Sequence, residues 1–563
     1  MVQFSLKATQ NRGASGNLLE RSLGLFALLL GAIFALSFSQ TDYQPLALVV
    51  LTLFFIGWAL EPRARGAHLY SFLFGLGLYS VGLFWVVHSM TVYGGLAYPL
   101  ALLGLLAMAL VLSLFPLLAS VLARFLGREA LGPRLMIFAS MLVFLDWLRD
   151  NEVLRFGWLA YGYSVTDTPL INLAHFGGVT LMSWMLLVGA AALAYFLIRL
   201  FSKRFSKLTM PSIVLWIAIV AGATWWVQEP TSIHPVAKPT PADDAPLWVR
   251  AIEPGLPVIS MFYHPSDSER LASLLPYAKA PWPSEAMAGD RLWIAPEGLI
   301  GNLVNTFMHE QITLLNELQS AAKSPVLISG FLAEKMVPSA EDPTRLEPVS
   351  HPNPTSPIYN GTFMWDRGFR YTMNKREMVP FGEYVPRGFR WFVDWLGIPM
   401  HDLMPGSDDQ SLLTIHGKTL GLLICYENLF GERIRVWWTR EGATPPDALV
   451  LSSNLSWFGP FIREQQLQMA RVRAVEVNRP VLSVSNDGPS AWISARGVVE
   501  KALPMGETGV MTAPVYASKA PPTFFVQAGE WMSVLWTLIW ALLAFVVGLF
   551  GSGARRREFR YRE

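Results

Sequence analysis

The chain has 563 residues, of which 52% are hydrophobic and only 15% charged, and its net charge is +2. Such a composition is too apolar for an ordinary soluble enzyme and too nearly neutral to gather nucleic acid through its field. A single cysteine excludes an internal disulfide, and one Cys with nine His shows no zinc-type ligand spacing. No metal, no cofactor and no nucleic-acid partner is therefore expected.

In chain order, apolar runs occur at Leu23–Phe38, Leu46–Leu60, Leu69–His88, Tyr98–Leu122, Leu135–Leu148, Leu170–Leu200, Ile213–Val227 and Trp531–Phe550. A bilayer core needs about 20 helical residues to be crossed, so these runs predict eight transmembrane helices. Leu135–Leu148 is the shortest and contains Asp146. The first run has the look of a signal peptide, but seven further runs favour a retained anchor. Charge placement supports the count. With the N-terminus in the cytoplasm, the inside segments carry Lys7, Arg12, Arg21, Arg63, Arg65, Arg124, Arg128, Arg134, Arg199, Lys203, Arg204, Lys207 and the arginine-rich tail after Arg555. The short outside loops hold only Arg149 and Arg155. The positive-inside rule thus places both termini in the cytoplasm and residues 228–529 outside it. Asp146 is a polar residue in an apolar run, and Arg149 lies three positions on, where helical side chains meet. They suit either an ion pair or a grip on lipid headgroups.

Residues 228–247 are rich in Pro and small polar residues and read as a linker leaving the membrane. Beyond it, short apolar strands are predicted at Leu247–Ile252, Arg291–Ala295, Val326–Gly330, Gly361–Trp365, Thr419–Cys425, Ala448–Ser452, Val481–Ser485 and Ala491–Ser494. Helical periodicity appears at Glu310–Ser324 and Glu464–Asn478. This alternation predicts a layered α/β domain. The Pro/Ser-rich stretch Lys335–Tyr359 reads as a surface loop. The expected division is residues 1–227 with seven helices, 228–529 as the extracytoplasmic domain, and 530–563 as the eighth helix with a basic tail.

Three strand-end motifs stand out. Trp293-Ile-Ala-Pro-Glu297 ends an apolar strand in a carboxylate. Lys375-Arg-Glu-Met-Val-Pro-Phe-Gly-Glu383-Tyr-Val-Pro386 follows Tyr371-Thr-Met-Asn374. The run Gly421-Leu-Leu-Ile424 ends at Cys425-Tyr426-Glu427. Each has an ordinary structural explanation: a helix cap for Glu297, a solvated charge for Lys375, and a small buried hydrophobe for Cys425. Together they supply one chemistry. A thiol is a weak nucleophile until a base takes its proton, a carboxylate serves as that base, and a fixed positive charge stabilises the oxyanion.

With these motifs the sequence resembles the nitrilase, or carbon–nitrogen hydrolase, superfamily and its membrane-anchored branch, the apolipoprotein N-acyltransferases. The resemblance is carried by KREMVPFGEYVP at Lys375–Pro386, LGLLICYE at Leu420–Glu427, QLQMARVRAVEVNRPVLSVSNDG at Gln466–Gly488 and DWLRDNEVLRFGWLAYGYS at Asp146–Ser164. It implies an eight-helix membrane bundle with a nitrilase-like αββα sandwich on the outside of a bacterial inner membrane. It also implies Glu297 as general base, Lys375 as oxyanion stabiliser and Cys425 as acylated nucleophile. Glu383 and Glu427 would be supporting carboxylates, with the backbone N–H of Tyr426 in the oxyanion hole. Departures occur at Arg250–Gly255, where the family shows a Gln-Gly-Asn motif, and at Asn454–Gly459, where Leu-Ser replaces Asp-Ala. The family's substrate-loop tryptophan has no clean equivalent; Phe262 or Tyr263 is the nearest aromatic.

The implied reaction moves an acyl chain from a phospholipid to Cys425 and then to the free amine of a diacylglyceryl apolipoprotein. Both lipids favour a site at the bilayer, since each buried methylene contributes about 0.8 kcal/mol to staying there. The segment Arg390–Met404, with Trp391, Phe392 and Trp395, is a candidate lid dipping into the interface, or else a core-packing helix. Two other readings stay open here: a membrane-tethered amidase whose acyl-enzyme is resolved by water, and a non-catalytic membrane protein with a degenerate nitrilase-like domain.

Overall fold

The computed structural model describes residues 22–38, 41–127, 130–202, 209–228, 245–257, 267–287, 289–301, 309–333, 336–348, 357–395, 402–442 and 444–560. The chain divides into two compact units, one of residues 1–91, 96–229 and 528–563, the other of 92–95 and 230–527.

In the first unit every predicted apolar run lies in a helix. Tyr98–Leu126, Leu131–Asn151, Pro169–Phe201 and Glu530–Leu549 are each long and apolar enough to cross a bilayer. The pair Ala64–Gly82 and Trp85–Tyr93 makes a fifth candidate, bent by 50° at its break. The helices Ser22–Phe38, Leu46–Leu60 and Thr209–Gln228 complete the set among the described residues. Close packing in lipid relies on small residues at helix contacts. Gly31 and Gly77 show why: a Cβ on either would lie 2.0 Å from a carbonyl oxygen of the opposing helix, Phe74 O and Leu28 O respectively. The helix holding Asp146 begins four residues before the predicted run Leu135–Leu148 and continues three beyond it, and the later extension is possible because the charge of Arg149 is satisfied internally. Arg149 is fully buried and donates to Asp146 Oδ1 at 2.9 Å, Asp150 Oδ1 at 2.7 Å, the Tyr79 hydroxyl and Trp158 O. Asp146 and Arg149 therefore form a buried ion pair, the arrangement under which charges persist in apolar surroundings.

The second unit is built on two sheets. One has strands β1 (Leu247–Glu253), β2 (Arg291–Ile294), β3 (Val326–Ala333), β4 (Met336–Pro338), β5 (Leu346–Pro348), β6 (Ile358–Trp365), β7 (Phe369–Asn374) and β14 (Gly509–Val515), in the order β14-β1-β2-β3-β6-β7-β5-β4. The other has β8 (Leu413–Ile415), β9 (Lys418–Ile424), β10 (Ala448–Ser453), β11 (Val481–Ser485), β12 (Ala491–Ile493) and β13 (Val499–Ala502), in the order β13-β12-β11-β10-β9-β8. One core cluster joins side chains of both sheets, among them Val249, Ile294, Leu327, Leu422, Val450 and Val484. Helix His309–Ala322 packs on the outer face of the first sheet, and helices Gly431–Thr439 and Ile462–Val477 on that of the second. All seven residues of β9 and all six of β10 are buried, which is why both read as continuous apolar runs rather than alternating ones.

Two expectations need correction. Lys335–Tyr359 is not simply a loop: it contains the β4–β5 hairpin and opens β6. Both strands are three residues long and carry a proline, Pro338 on the edge strand β4 and Pro348 on β5, which gives a loop-like composition. Cys425 does not close β9; it opens a 3-10 turn, Cys425–Leu429. Strands β7 and β14 were not anticipated, since β7 is largely half-buried and β14 carries Pro514. The linker at 229–244 lies outside the described residues.

Strands β1, β2 and β3 run parallel, as do β9, β10 and β11. The carboxyl ends of each set carry the polar residues that follow the apolar runs.

Candidate active site

Glu297 is placed by β2. Ala295 N still donates to Leu327 O at 2.9 Å, Pro296 ends the pairing, and Glu297 is 6% exposed. Lys375 follows β7; its N–H donates to Asn360 O at 2.8 Å, and its side chain is 1% exposed. Cys425 leaves β9 at φ +49°, in the left-handed region that costs a non-glycine residue roughly 1–2 kcal/mol. A strained residue persists only where its surroundings hold it. Here Glu427 Oε2 accepts from Ile424 N at 2.8 Å, and Gln466 Nε2 donates to Cys425 O at 3.3 Å.

These side chains meet. Lys375 Nζ lies 3.3 Å from Glu297 Oε1 and 2.9 Å from Glu383 Oε1. Asn360 Nδ2 donates to the same two oxygens, at 2.8 Å each. Val379 N donates to Glu383 Oε2 at 2.8 Å, and Asn454 N to Glu297 Oε2 at 3.2 Å. The Cys425 thiol lies close enough to Glu297, Lys375 and Glu383 for their charges to act on it. Burial pushes the thiol well above its ordinary range and the Glu297 charge adds to this; Lys375 opposes both. Burial pulls the Lys375 ammonium down, but the charges of Glu297 and Glu383 outweigh it and hold the ammonium well above its usual value. The resting site is therefore a protonated thiol beside a permanent cation. Such a thiol would become a nucleophile only by giving its proton to a carboxylate, and the ammonium carries the sign of charge that stabilises an oxyanion.

Of the other predicted residues, Glu427 is wholly buried and bonds Arg376 through the backbone N–H at 3.0 Å and Nε at 3.2 Å, which fixes the residue next to Lys375. Tyr426 is buried in the turn after Cys425, edge-on to Phe430 at 5.2 Å. Trp391 and Trp395 are 68% and 75% exposed on a single short helix, Arg390–Trp395, and are not in the buried cluster. Phe262, Tyr263, the Phe392 side chain and residues 396–401 lie outside what is described. Sequence reasoning missed Asn360 and Asn454. A polar residue inside the buried strand β6 was the available signal for the first.

The comparisons with known proteins divide along the same lines. The apolipoprotein N-acyltransferase N-terminal domain model matches residues 30–192, and the carbon–nitrogen hydrolase model matches residues 346–521, which contain Lys375 and Cys425. An apolipoprotein N-acyltransferase of Bordetella bronchiseptica is 31% identical over 86% of this chain and 90% of its own. Those of Ralstonia nicotianae (30%; 94% and 93%) and Azotobacter vinelandii (31%; 95% and 95%) are similar over nearly their full lengths. The chain belongs to the apolipoprotein N-acyltransferase family. Like its relatives it is an acyltransferase with a carbon–nitrogen hydrolase domain and a set of apolar, membrane-type helices.

Proposed function

We propose that this enzyme N-acylates the N-terminal diacylglyceryl-cysteine of apolipoproteins with a chain taken from a phospholipid, by way of a thioester on Cys425. In the first half-reaction Glu297 takes the thiol proton as Sγ attacks the ester carbonyl. The oxyanion meets Lys375 Nζ and the Tyr426 N–H. On collapse the lysophospholipid oxygen leaves with the proton from Glu297. In the second, the neutral α-amine attacks the thioester carbonyl and gives its proton to Glu297. The Cys425 thiolate departs and recovers that proton, leaving an amide. The reading rests above all on the convergence of Glu297 and Lys375, 3.3 Å apart, with the Cys425 thiol within reach of both charges. Glu383 and Glu427 act as supports, one on Lys375 and the other on the turn and on Arg376.

The membrane arrangement proposed with it has eight crossing helices with both ends in the cytoplasm. Residues 228–529 then lie on the periplasmic side of a bacterial inner membrane, and the final helix and basic tail span 530–563. The distribution of Lys and Arg supports this.

Intact-mass analysis of the full-length enzyme with phospholipid vesicles tests the chemistry. An acyl adduct is expected on the native protein and none on Cys425→Ser. With a radiolabelled phospholipid and a diacylated lipopeptide, label should appear on the lipopeptide amine. Free fatty acid as the sole labelled product would overturn the reading in favour of hydrolysis.

Trp391 and Trp395 are exposed aromatics in one short segment, as are the paired Phe381 and Phe389, and exposed aromatics suit the lipid interface. Acting as a mobile lid, this segment makes Trp391→Ser/Trp395→Ser slower on vesicle-embedded phospholipid with thermal stability unchanged. Equal turnover by the variant and the parent discards the lid.

A further inference from the structure

The carboxylate of Glu297 must present one oxygen to the thiol and keep its plane fixed while protons pass in both directions. One oxygen, Oε1, is held by Lys375 and Asn360. The other, Oε2, has the backbone N–H of Asn454, which arrives from β10 in the opposite sheet. Without that second contact the carboxylate is held at one oxygen and swings about it.

What places the Asn454 N–H is the question, because Asn454 has already left the strand ladder, whose last pair is Ser453 with Ser485. Its side chain is wholly buried, and its Nδ2 has no hydrogen-bond partner among the described residues. It is held through Oδ1, which accepts from Asn486 Nδ2 at 3.2 Å. Asn486 is itself 1% exposed and engaged at every polar atom. Its N–H donates to Ser453 O at 3.0 Å and its carbonyl accepts from Gly255 N at 3.1 Å. Oδ1 accepts from Leu256 N at 2.9 Å, while Nδ2 also reaches Leu256 O at 2.7 Å and Ser456 Oγ at 3.4 Å. One amide thus ties together the ends of β1, β10 and β11, which belong to two sheets.

We propose that Asn486 is a positioning residue for the general base: through Asn454 it fixes the Glu297 carboxylate plane and so sets the rate of proton transfer to and from Cys425. The proposal rests on Glu297 being the base. A buried amide bonded at every polar atom, as Asn486 is, holds its neighbours rigidly, and its removal breaks all of those ties together. Loss of Asn486 leaves the Asn454 side chain without its one hydrogen bond and frees the loop that carries the N–H.

Since Cys425 is the only cysteine in the chain, iodoacetamide reports on its thiol alone. The test measures acyl transfer and the pH profile of Cys425 alkylation in the full-length enzyme in detergent, for Asn486→Ala, Asn454→Ala, Glu297→Gln and the combinations with Glu297→Gln. Asn454→Ala keeps the backbone N–H but cuts the same link from its other end, so it serves if Asn486→Ala does not fold. Either single variant is expected to lower kcat roughly tenfold, at an unchanged KM for phospholipid. Each is also expected to move the alkylation profile part of the way toward that of Glu297→Gln, and to move it no further once Glu297 is Gln. A profile that coincides with the native one, or a shift that persists in full in the Glu297→Gln background, overturns the positioning role. A Glu297→Gln profile identical to the native one instead removes the base assignment, which separates the two failures.

Discussion

Glu297→Gln should lower acylation of Cys425 by about 10²–10⁴-fold, the range a general base contributes. The same variant should make the thiol easier to ionise. Burial is the main reason the thiol sits high, but the Glu297 charge comes next, and the Lys375 cation stays in place when Glu297 is neutralised. Removing a neighbouring negative charge favours the thiolate, so the alkylation profile of Cys425 moves to lower pH as acyl transfer collapses. This opposition distinguishes a base from a structural carboxylate, whose loss would depress both readouts through misfolding. Single-turnover acylation from phospholipid vesicles and iodoacetamide alkylation across pH measure the two. Acylation within a few-fold of the native rate would remove Glu297 from the mechanism.

The second large effect is expected at Lys375. Its ammonium lies between Glu297 and Glu383, each of which also leans on Asn360 Nδ2. Lys375→Met leaves one buried and one partly buried carboxylate facing one neutral donor. Breaking a buried ion pair from one side costs about 3–5 kcal/mol. Losing the oxyanion's charge partner costs a further 10²–10³-fold in rate, to judge from single oxyanion-hole deletions. Lys375→Met should therefore melt well below the parent. A melting temperature equal to the parent's, with acyl transfer retained, would sink this account of the cluster.

Much of the site was legible because its chemistry sits where local patterns change. Glu297, Lys375 and Cys425 each follow a strand, and at Glu297 and Cys425 a change from apolar to polar marks the strand's end. The apolar runs were likewise legible as helices because an uninterrupted apolar face 15–30 residues long is a local property. Signals failed where satisfaction is not local. Leu135–Leu148 was the shortest predicted run and contained Asp146, whereas the helix spans Leu131–Asn151, with Asp146 and Arg149 bonded to each other and Arg149 to Tyr79. Strand β7 was missed because its half-buried polar side chains carry no strong pattern, although it delivers Lys375. The hairpin inside Lys335–Tyr359 was missed because short edge strands and loops share a composition.

By itself the sequence pointed to apolar helices with an α/β domain, to the family, and to Glu297, Lys375 and Cys425 as candidate groups that the fold brings together. Each depends on residue type and near neighbours along the chain. Only the tertiary structure decided how those groups are held. Glu297 meets the Asn454 N–H across 157 positions of sequence, and Asn360 bridges Glu297 and Glu383 from a strand that belongs to none of the three motifs. Hydrogen-bond closure of this kind depends on the order of strands and on which strand ends face each other across two sheets. The left-handed turn at Cys425 is a consequence of the same closure, since Glu427 and Gln466 must both be in place to hold it.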